Sequence, residues 1–236
     1  MGATDKPAFG LTRDFMDMDG PHGANMTPAH VEYRQVTKRD LPEIATIFLW
    51  AFHESVRHYA GKPVGERVII DAFDICLDAE PGAFIAAVVN GRVAGYIFAP
   101  SRLSSIYHAA IWRGHIARMI WRWATGQYGV GLKPALIAAR NQLAVWWHSK
   151  RDKEAASEAR IFSIAVHPDF QGRHIGTGLL KAGLDYLGSR GAKRVRLEVR
   201  PENIPAINIY EKAGFKIAGR TRDTQADWLI MVKEFF

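Results

Sequence analysis

Residues 161–178 constrain this chain more tightly than any other stretch. Ile161-Phe-Ser-Ile-Ala-Val166 is a nearly unbroken apolar run of strand length, and His167-Pro168-Asp169 ends it. Gln171-Gly-Arg-His-Ile-Gly-Thr-Gly178 then opens an apolar-periodic helix through Leu179, Leu180, Leu184 and Leu187. A strand that hands over to a helix through a glycine-bearing loop aims consecutive backbone N–H groups, and the positive end of the helix dipole, at one point. Such a loop suits a pyrophosphate. Two nucleotide fingerprints compete for it and neither fits. Gly176-Thr-Gly178 lacks the third glycine of the dinucleotide motif, because Lys181 stands in its place, and no Gly-Lys-Ser/Thr triplet completes an NTPase phosphate loop.

What remains is Gln171-x-x-His174-x-Gly176 after an Ile-Ala-Val-x-Pro strand end, with Asn203-x-x-Ala206-x-x-x-Tyr210-x-x-x-Gly214-Phe215 downstream. Together these resemble the GNAT acetyltransferase superfamily, whose loop reads Gln/Arg-x-x-Gly-x-Gly/Ala. The resemblance covers residues 31–100 and 154–236. It implies an α/β fold with a mixed, mostly antiparallel central sheet flanked by helices, and acetyl-CoA as acyl donor. The chain departs from the pattern at His174, where the family usually has glycine. A side chain there must point away from the phosphates or change the local φ, and a solvent-facing His174 with pyrophosphate binding retained is expected.

The element order agrees with that fold. Val31–Val36 alternates as a strand, and a helix follows from Leu41 with Ile44, Ile47, Phe48 and Phe52 on one face. Val68–Leu77 is a second helix. Phe84–Val89, Asn90-Gly91 and Val93–Phe98 read as an antiparallel hairpin. After the central stretch come a strand at Lys193–Val199, a helix from about Ile204 to Lys212, and two closing strands, Phe215–Ala218 and Trp228–Val232. Alternating strands and helices point to an α/β sandwich. Met1 to about residue 30 has no periodicity and no secretory pattern, and reads as a disordered leader before a domain over 31–236. The lone Cys76 suggests a reducing, cytoplasmic setting. No Cys/His spacing suggests a metal site.

Acyl transfer from a thioester to an amine needs the donor held, the amine neutral, the carbonyl polarised and a proton returned to the leaving thiolate. The resemblance implies that backbone groups of Ile164 and Val166 hold the pantetheine arm and polarise the thioester. Gln171, Gly172, Arg173, His174, Gly176 and Thr177 take the pyrophosphate, and Asn203 bonds the pantetheine side. Tyr210 is the implied general acid, since a phenol with a pKa near 10 stays protonated at neutral pH. Leu197-Glu198-Val199-Arg200 before Asn203 resembles ribosomal-protein N-terminal acetyltransferases, which makes Glu198 a candidate base. A structural Glu198, Glu158, or water alone are the alternatives. The acceptor is a small-molecule or peptide amine. His53, His58 and Tyr59 are candidates to border it. His148 and His167 read as surface or loop histidines. A catalytically silent acyl-CoA-binding or membrane-docking module is the competing class.

Residues 101–153 set the chain apart as a helical insertion before the loop strand. They hold nine basic residues against one acid, a net of +8, while the whole chain is +7. Five of the seven tryptophans are here: Trp112, Trp121, Trp123, Trp146 and Trp147. Helices are expected at about 104–125 and 134–149. In the first, Ala109, Trp112, Ile116, Met119, Ile120 and Trp123 form an apolar stripe, with His115, Arg118 and Arg122 away from its centre. Three readings stand: a lid whose stripe packs on the domain, a device for an anionic membrane surface, and single-stranded nucleic acid, though no nucleic-acid module is visible.

Overall fold

The computed structural model describes residues 30–60, 64–128 and 159–235. The leader up to residue 29, the expected helix at 134–149, His148 and Glu158 lie outside them. The chain runs β1 (Val31–Gln35), α1 (Leu41–Ala51), α2 (His53–Ala60), α3 (Glu66–Ala79), β2 (Phe84–Val89), β3 (Arg92–Phe98), α4 (Ser104–Trp112) and α5 (His115–Ala124). It resumes with β4 (Ala159–Arg160), β5 (Ser163–Val166), α6 (Ile175–Ser189), β6 (Arg194–Val199), α7 (Ile204–Lys212), β7 (Lys216–Arg222) and β8 (Asp227–Glu234). The fold is mixed α/β, as expected.

Asp40 fixes the first corner. Arg34 donates to both of its carboxylate oxygens at 2.8 Å, and Thr37 adds its N–H at 2.7 Å and its hydroxyl at 2.8 Å. The Arg34 guanidinium, against the opposing effect of burial and with help from Thr37, holds this carboxyl at about 2. A depressed carboxylate stabilises the fold above its ordinary pKa and ceases to do so as pH falls through the folded value. Asp40→Asn is therefore expected to cost about 2 kcal/mol at neutral pH. In urea unfolding the gap to wild type should close as pH drops from about 4 to about 2.

Two four-stranded sheets result, β1-β2-β3-β5 and β4-β6-β8-β7. The first hairpin turns through Asn90 and Gly91, both at positive φ (50° and 79°), the two-residue turn whose twist suits its strands. The run read as one strand at 161–166 is split. Ala159 and Arg160 pair in parallel with β6, while 163–166 pair antiparallel with β3. The chain leaves one sheet for the other at Phe162, which is exposed. At Gly95 a β-carbon would stand 2.7 Å from the Ala165 carbonyl oxygen, so glycine lets β3 and β5 meet there.

The sheets have two differently dressed faces. On one, Ile44 and Ile47 of α1 and Phe73 and Leu77 of α3 pack against Phe84, Tyr96 and Phe98. On the other, Leu179, Leu180 and Leu187 of α6 and Ile207 and Tyr210 of α7 pack against Ile97, Leu197 and Met231.

The insertion departs from expectation twice. The helix anticipated over 104–125 breaks at Gly114, which takes the left-handed conformation (φ 73°) between α4 and α5. Its amphipathic face is also turned round. His115, Arg118 and Arg122 point inward, onto Asp78, Asp74 and Asp71 of α3. Trp112 and Ile120 of the apolar stripe are 82% and 58% exposed. Within the described residues the stripe is divided: Ala109 is buried and Met119 and Trp123 are half-buried, while Trp112, Ile116 and Ile120 face outward. At the insertion's root, buried Glu80 accepts from the Ser101 N–H (3.1 Å) and the Tyr186 hydroxyl (2.8 Å), which fastens α3's end to α6.

Candidate active site

The site grows from the place where the two sheets part. The Ile161 N–H still reaches the Arg196 carbonyl (2.9 Å), but beyond it β5 follows β3 and leaves β6. In an antiparallel ladder alternate residues address the partner. His167 donates to Ala94 (2.8 Å), so the backbone groups of Ile164 and Val166 face the gap instead. The Val166 carbonyl accepts there from the Gln171 side chain at 3.2 Å.

A short 3-10 turn, Pro168–Phe170, follows, and His167 caps it by accepting the Asp169 N–H on Nδ1 (3.2 Å). His167 is thus a loop histidine with a capping role. The loop then enters α6 through His174, whose φ of 58° is the left-handed value a glycine would take. Of the two expected outcomes, the backbone keeps the glycine geometry and the imidazole is exposed. A left-handed histidine is tolerated at a cost of roughly 1 kcal/mol. His174→Gly should therefore stabilise the protein by about that much, read in urea unfolding, while acetyl-CoA affinity by calorimetry stays within about twofold.

Helix geometry now supplies the donors. Gly178 is the first residue of α6 whose N–H finds a helical carbonyl, that of His174 at 3.1 Å. The N–H groups of Ile175, Gly176 and Thr177 have no such acceptor, and α6 carries no acid in its first turn. Together with β5 they open on a cavity of about 1100 Å³ whose far wall is α7.

Asn203 caps α7, its side-chain oxygen accepting the Ala206 N–H at 3.2 Å, which leaves its amide hydrogens for the cavity. Pro205 in the first turn suits the helix start. Asn203, Ala206 and Tyr210 then stand on one helical face. Tyr210 is 8% exposed beside Phe215, and burial pushes its phenol up to about 12.

The cavity brings together Ile164, Val166, Gln171, Gly172, His174, Gly176, Thr177, Asn203 and Tyr210. Arg173 sits at the loop with its guanidinium over the Phe170 ring (5.6 Å). Glu198 does not line the cavity. It is exposed on β6, held by Arg196 at 2.7 Å with Arg160 at 3.8 Å. Lys181, Lys212 and Lys233, not among the site candidates read from the sequence, also line the cavity. Their signal is weak because they come from three separate elements. Lys212 reads simply as a cation in a helix's last turn.

Of the residues expected to border an acceptor, His58 on α2 meets the β7–β8 turn, its Nε2 3.4 Å from the Thr224 hydroxyl. His53 is exposed, its Nδ1 3.2 Å from the Trp50 carbonyl, and the side chain of Tyr59 is outside the described residues. Among the described residues no group of His, Cys, Asp or Glu is placed to hold a metal ion, and no helix is long and apolar enough to cross a membrane.

The sequence model of the acetyltransferase (GNAT) family matches residues 42–215. A ribosomal protein bS18-alanine N-acetyltransferase of Salmonella typhimurium is 49% identical over 61 residues, 26% of this chain and 41% of that protein. An uncharacterized N-acetyltransferase of Methanocaldococcus jannaschii is 39% identical over 87 residues, 37% of this chain and 36% of that protein. The chain thus spans less than half the length of either relative. Among solved structures, the ribosomal-protein-alanine N-acetyltransferase of Brucella melitensis superposes with a TM-score of 0.58 at 16% identity, covering 86% of this chain and 99% of that one.

Proposed function

The chain belongs to the GNAT acetyltransferase family, and from that premise we propose that it moves an acetyl group from acetyl-CoA to a primary amine by direct attack, with both substrates bound at once. The observation that carries this reading is the meeting, in one cavity, of strand groups at Ile164 and Val166 turned away from β3, a helix N-terminus at Ile175–Thr177, and Asn203 and Tyr210 opposite. The residues fit the donor. Backbone N–H groups from Gly172 to Thr177, at the positive end of α6, would hold a pyrophosphate, and Lys212 lies at the cavity wall to add charge. The open side of β5 matches the hydrogen-bonding needs of an amide-bearing arm, with the Asn203 amide across from it.

Acetyl-CoA supplies an activated thioester. The chain's own part is to hold it, polarise its carbonyl through the β5 backbone, and place a donor, Tyr210 Oη, against the sulfur as charge leaves onto it. Glu198 is the candidate base. Its engagement with Arg196 and Arg160 gives it a structural role as well, and water is the other acceptor of the amine proton. The Salmonella relative's alanine substrate supports a peptide N-terminus as acceptor over a small-molecule amine. The basic insertion is read as the element that brings the domain to an anionic surface.

Thiol release from acetyl-CoA, followed over a panel of peptide N-termini, lysine peptides and small amines, tests the reading together with calorimetry of CoA. Binding with amine-dependent turnover is expected. Binding with no turnover on any amine would favour the silent acyl-CoA module, and absence of binding would remove both.

A further inference from the structure

Every exposed residue of α5 is apolar: Ile116, Ala117, Ile120, Trp121 and Ala124. The helix's polar residues are spent on the protein. Arg118 donates to Asp74 at 2.6 Å and Arg122 to Asp71, while His115, 3% exposed, meets Asp78 at 3.0 Å. Arg118 also lies 2.7 Å from His115 Nδ1 and can donate only if that nitrogen keeps its lone pair, so Nε2–H is the donor to Asp78. Lys38 braces the same ladder from Asp74 at 3.1 Å, and Tyr128 donates to Asp71 just past the helix. On α4, Ile111 and Trp112 likewise face outward. Nothing among the described residues covers this face.

We propose that α4 and α5 form a preformed docking surface for an anionic lipid bilayer. Tryptophan and isoleucine at an otherwise uncharged helical face are suited to the boundary between headgroups and acyl chains. The electrostatics select the sign of the surface. The sequence between Glu80 and Asp152 holds nine basic residues and no acid; Arg118 and Arg122 are matched by α3, while Arg102, just ahead of α4, and Arg113, between α4 and α5 and 3.8 Å from Asp78, are exposed. An amphipathic peptide free in solution must fold as it binds, whereas this face is already held by the ladder on α3, so little ordering entropy opposes its docking. The inference builds on reading the insertion as surface-seeking and is independent of acetyl transfer.

Co-sedimentation of the full chain with phosphatidylcholine vesicles, with and without phosphatidylserine, is the test. The protein is expected to bind the phosphatidylserine vesicles at low salt, to release as salt rises, and to ignore phosphatidylcholine alone. The Trp112→Ser/Trp121→Ser double variant should bind at least about tenfold more weakly. Trp50→Ser, which removes another exposed tryptophan on α1, should bind as wild type does. Calorimetry of acetyl-CoA on the double variant keeps loss of fold, and failure of the acetyltransferase reading, apart from loss of docking. No vesicle binding at low salt, or equal binding by the double variant, overturns the proposal. So does self-association, or capture of single-stranded DNA in place of vesicles, that disappears in the double variant.

Discussion

Turnover of a Tyr210→Phe variant is expected to fall by about a hundredfold or more, with acetyl-CoA affinity unchanged. The size follows from what the phenol can supply. Burial pushes Tyr210 up to about 12, while an ordinary thiol titrates near 8.5. Complete proton transfer to a leaving sulfur would therefore be uphill, and the contribution proposed for Tyr210 is a hydrogen bond that strengthens as negative charge builds. Loss of one such donor in a water-poor site costs about 3 kcal/mol, or two orders of magnitude in rate. A raised phenol pKa means the proton is in place throughout the neutral range and is lost only as pH approaches about 12. The variant should therefore keep the acid limb of the pH profile, set by the amine, and show a lower plateau. An unchanged plateau with an identified acceptor removes the assignment.

Gly176→Glu should weaken acetyl-CoA binding more than tenfold, about 1.4 kcal/mol, measured by calorimetry. The position discriminates between shape and charge. A β-carbon at Gly176 would meet Val166 Cγ2 at an ordinary 3.7 Å, so alanine fits and should be mild. Glutamate extends further into the cavity and places a carboxylate where the helix N-terminus would attract a phosphate. Because an acid in a first helical turn is favourable for the helix itself, thermal stability should be kept while affinity is lost. Gln171→Ala, which removes only a bond to the Val166 carbonyl, should cost less. Equal affinities for Gly176→Glu and wild type would contradict the placement of the phosphates.

The fold was legible wherever local chemistry decides local structure. Asn90-Gly91 can hardly be other than a hairpin turn between two apolar runs, and the residues from Asn203 to Tyr210 bear a cap and a face within one helix. The reading failed where a distant element decides. The break at Phe162 follows from a change of partner strand, which no run of apolar residues records. Helix α2, His53–Ala60, has no continuous apolar stripe to announce it. In α5 the periodicity was visible, but it cannot say which face meets the protein. That was settled by α3, whose Asp71, Asp74 and Asp78 repeat at the same spacing as His115, Arg118 and Arg122. A carboxylate stripe and a basic stripe of matched spacing on separate helices is the signal that could have found the pairing.

The two faces of the central sheet have a further consequence. Helix α3 lies on the Phe84–Phe98 face and carries α5 outboard of it, whereas α6 and the loop before it lie across the sheet on the Ile97–Leu197 face. On the docking proposed above, a boundary met by α4 and α5 would be screened from the loop before α6 by the sheet itself. A water-soluble donor can enter and its spent thiol can leave on the bulk-solvent side without the protein detaching. One round of chemistry need not end one period of residence, so a single landing could serve many acceptors held on the same plane.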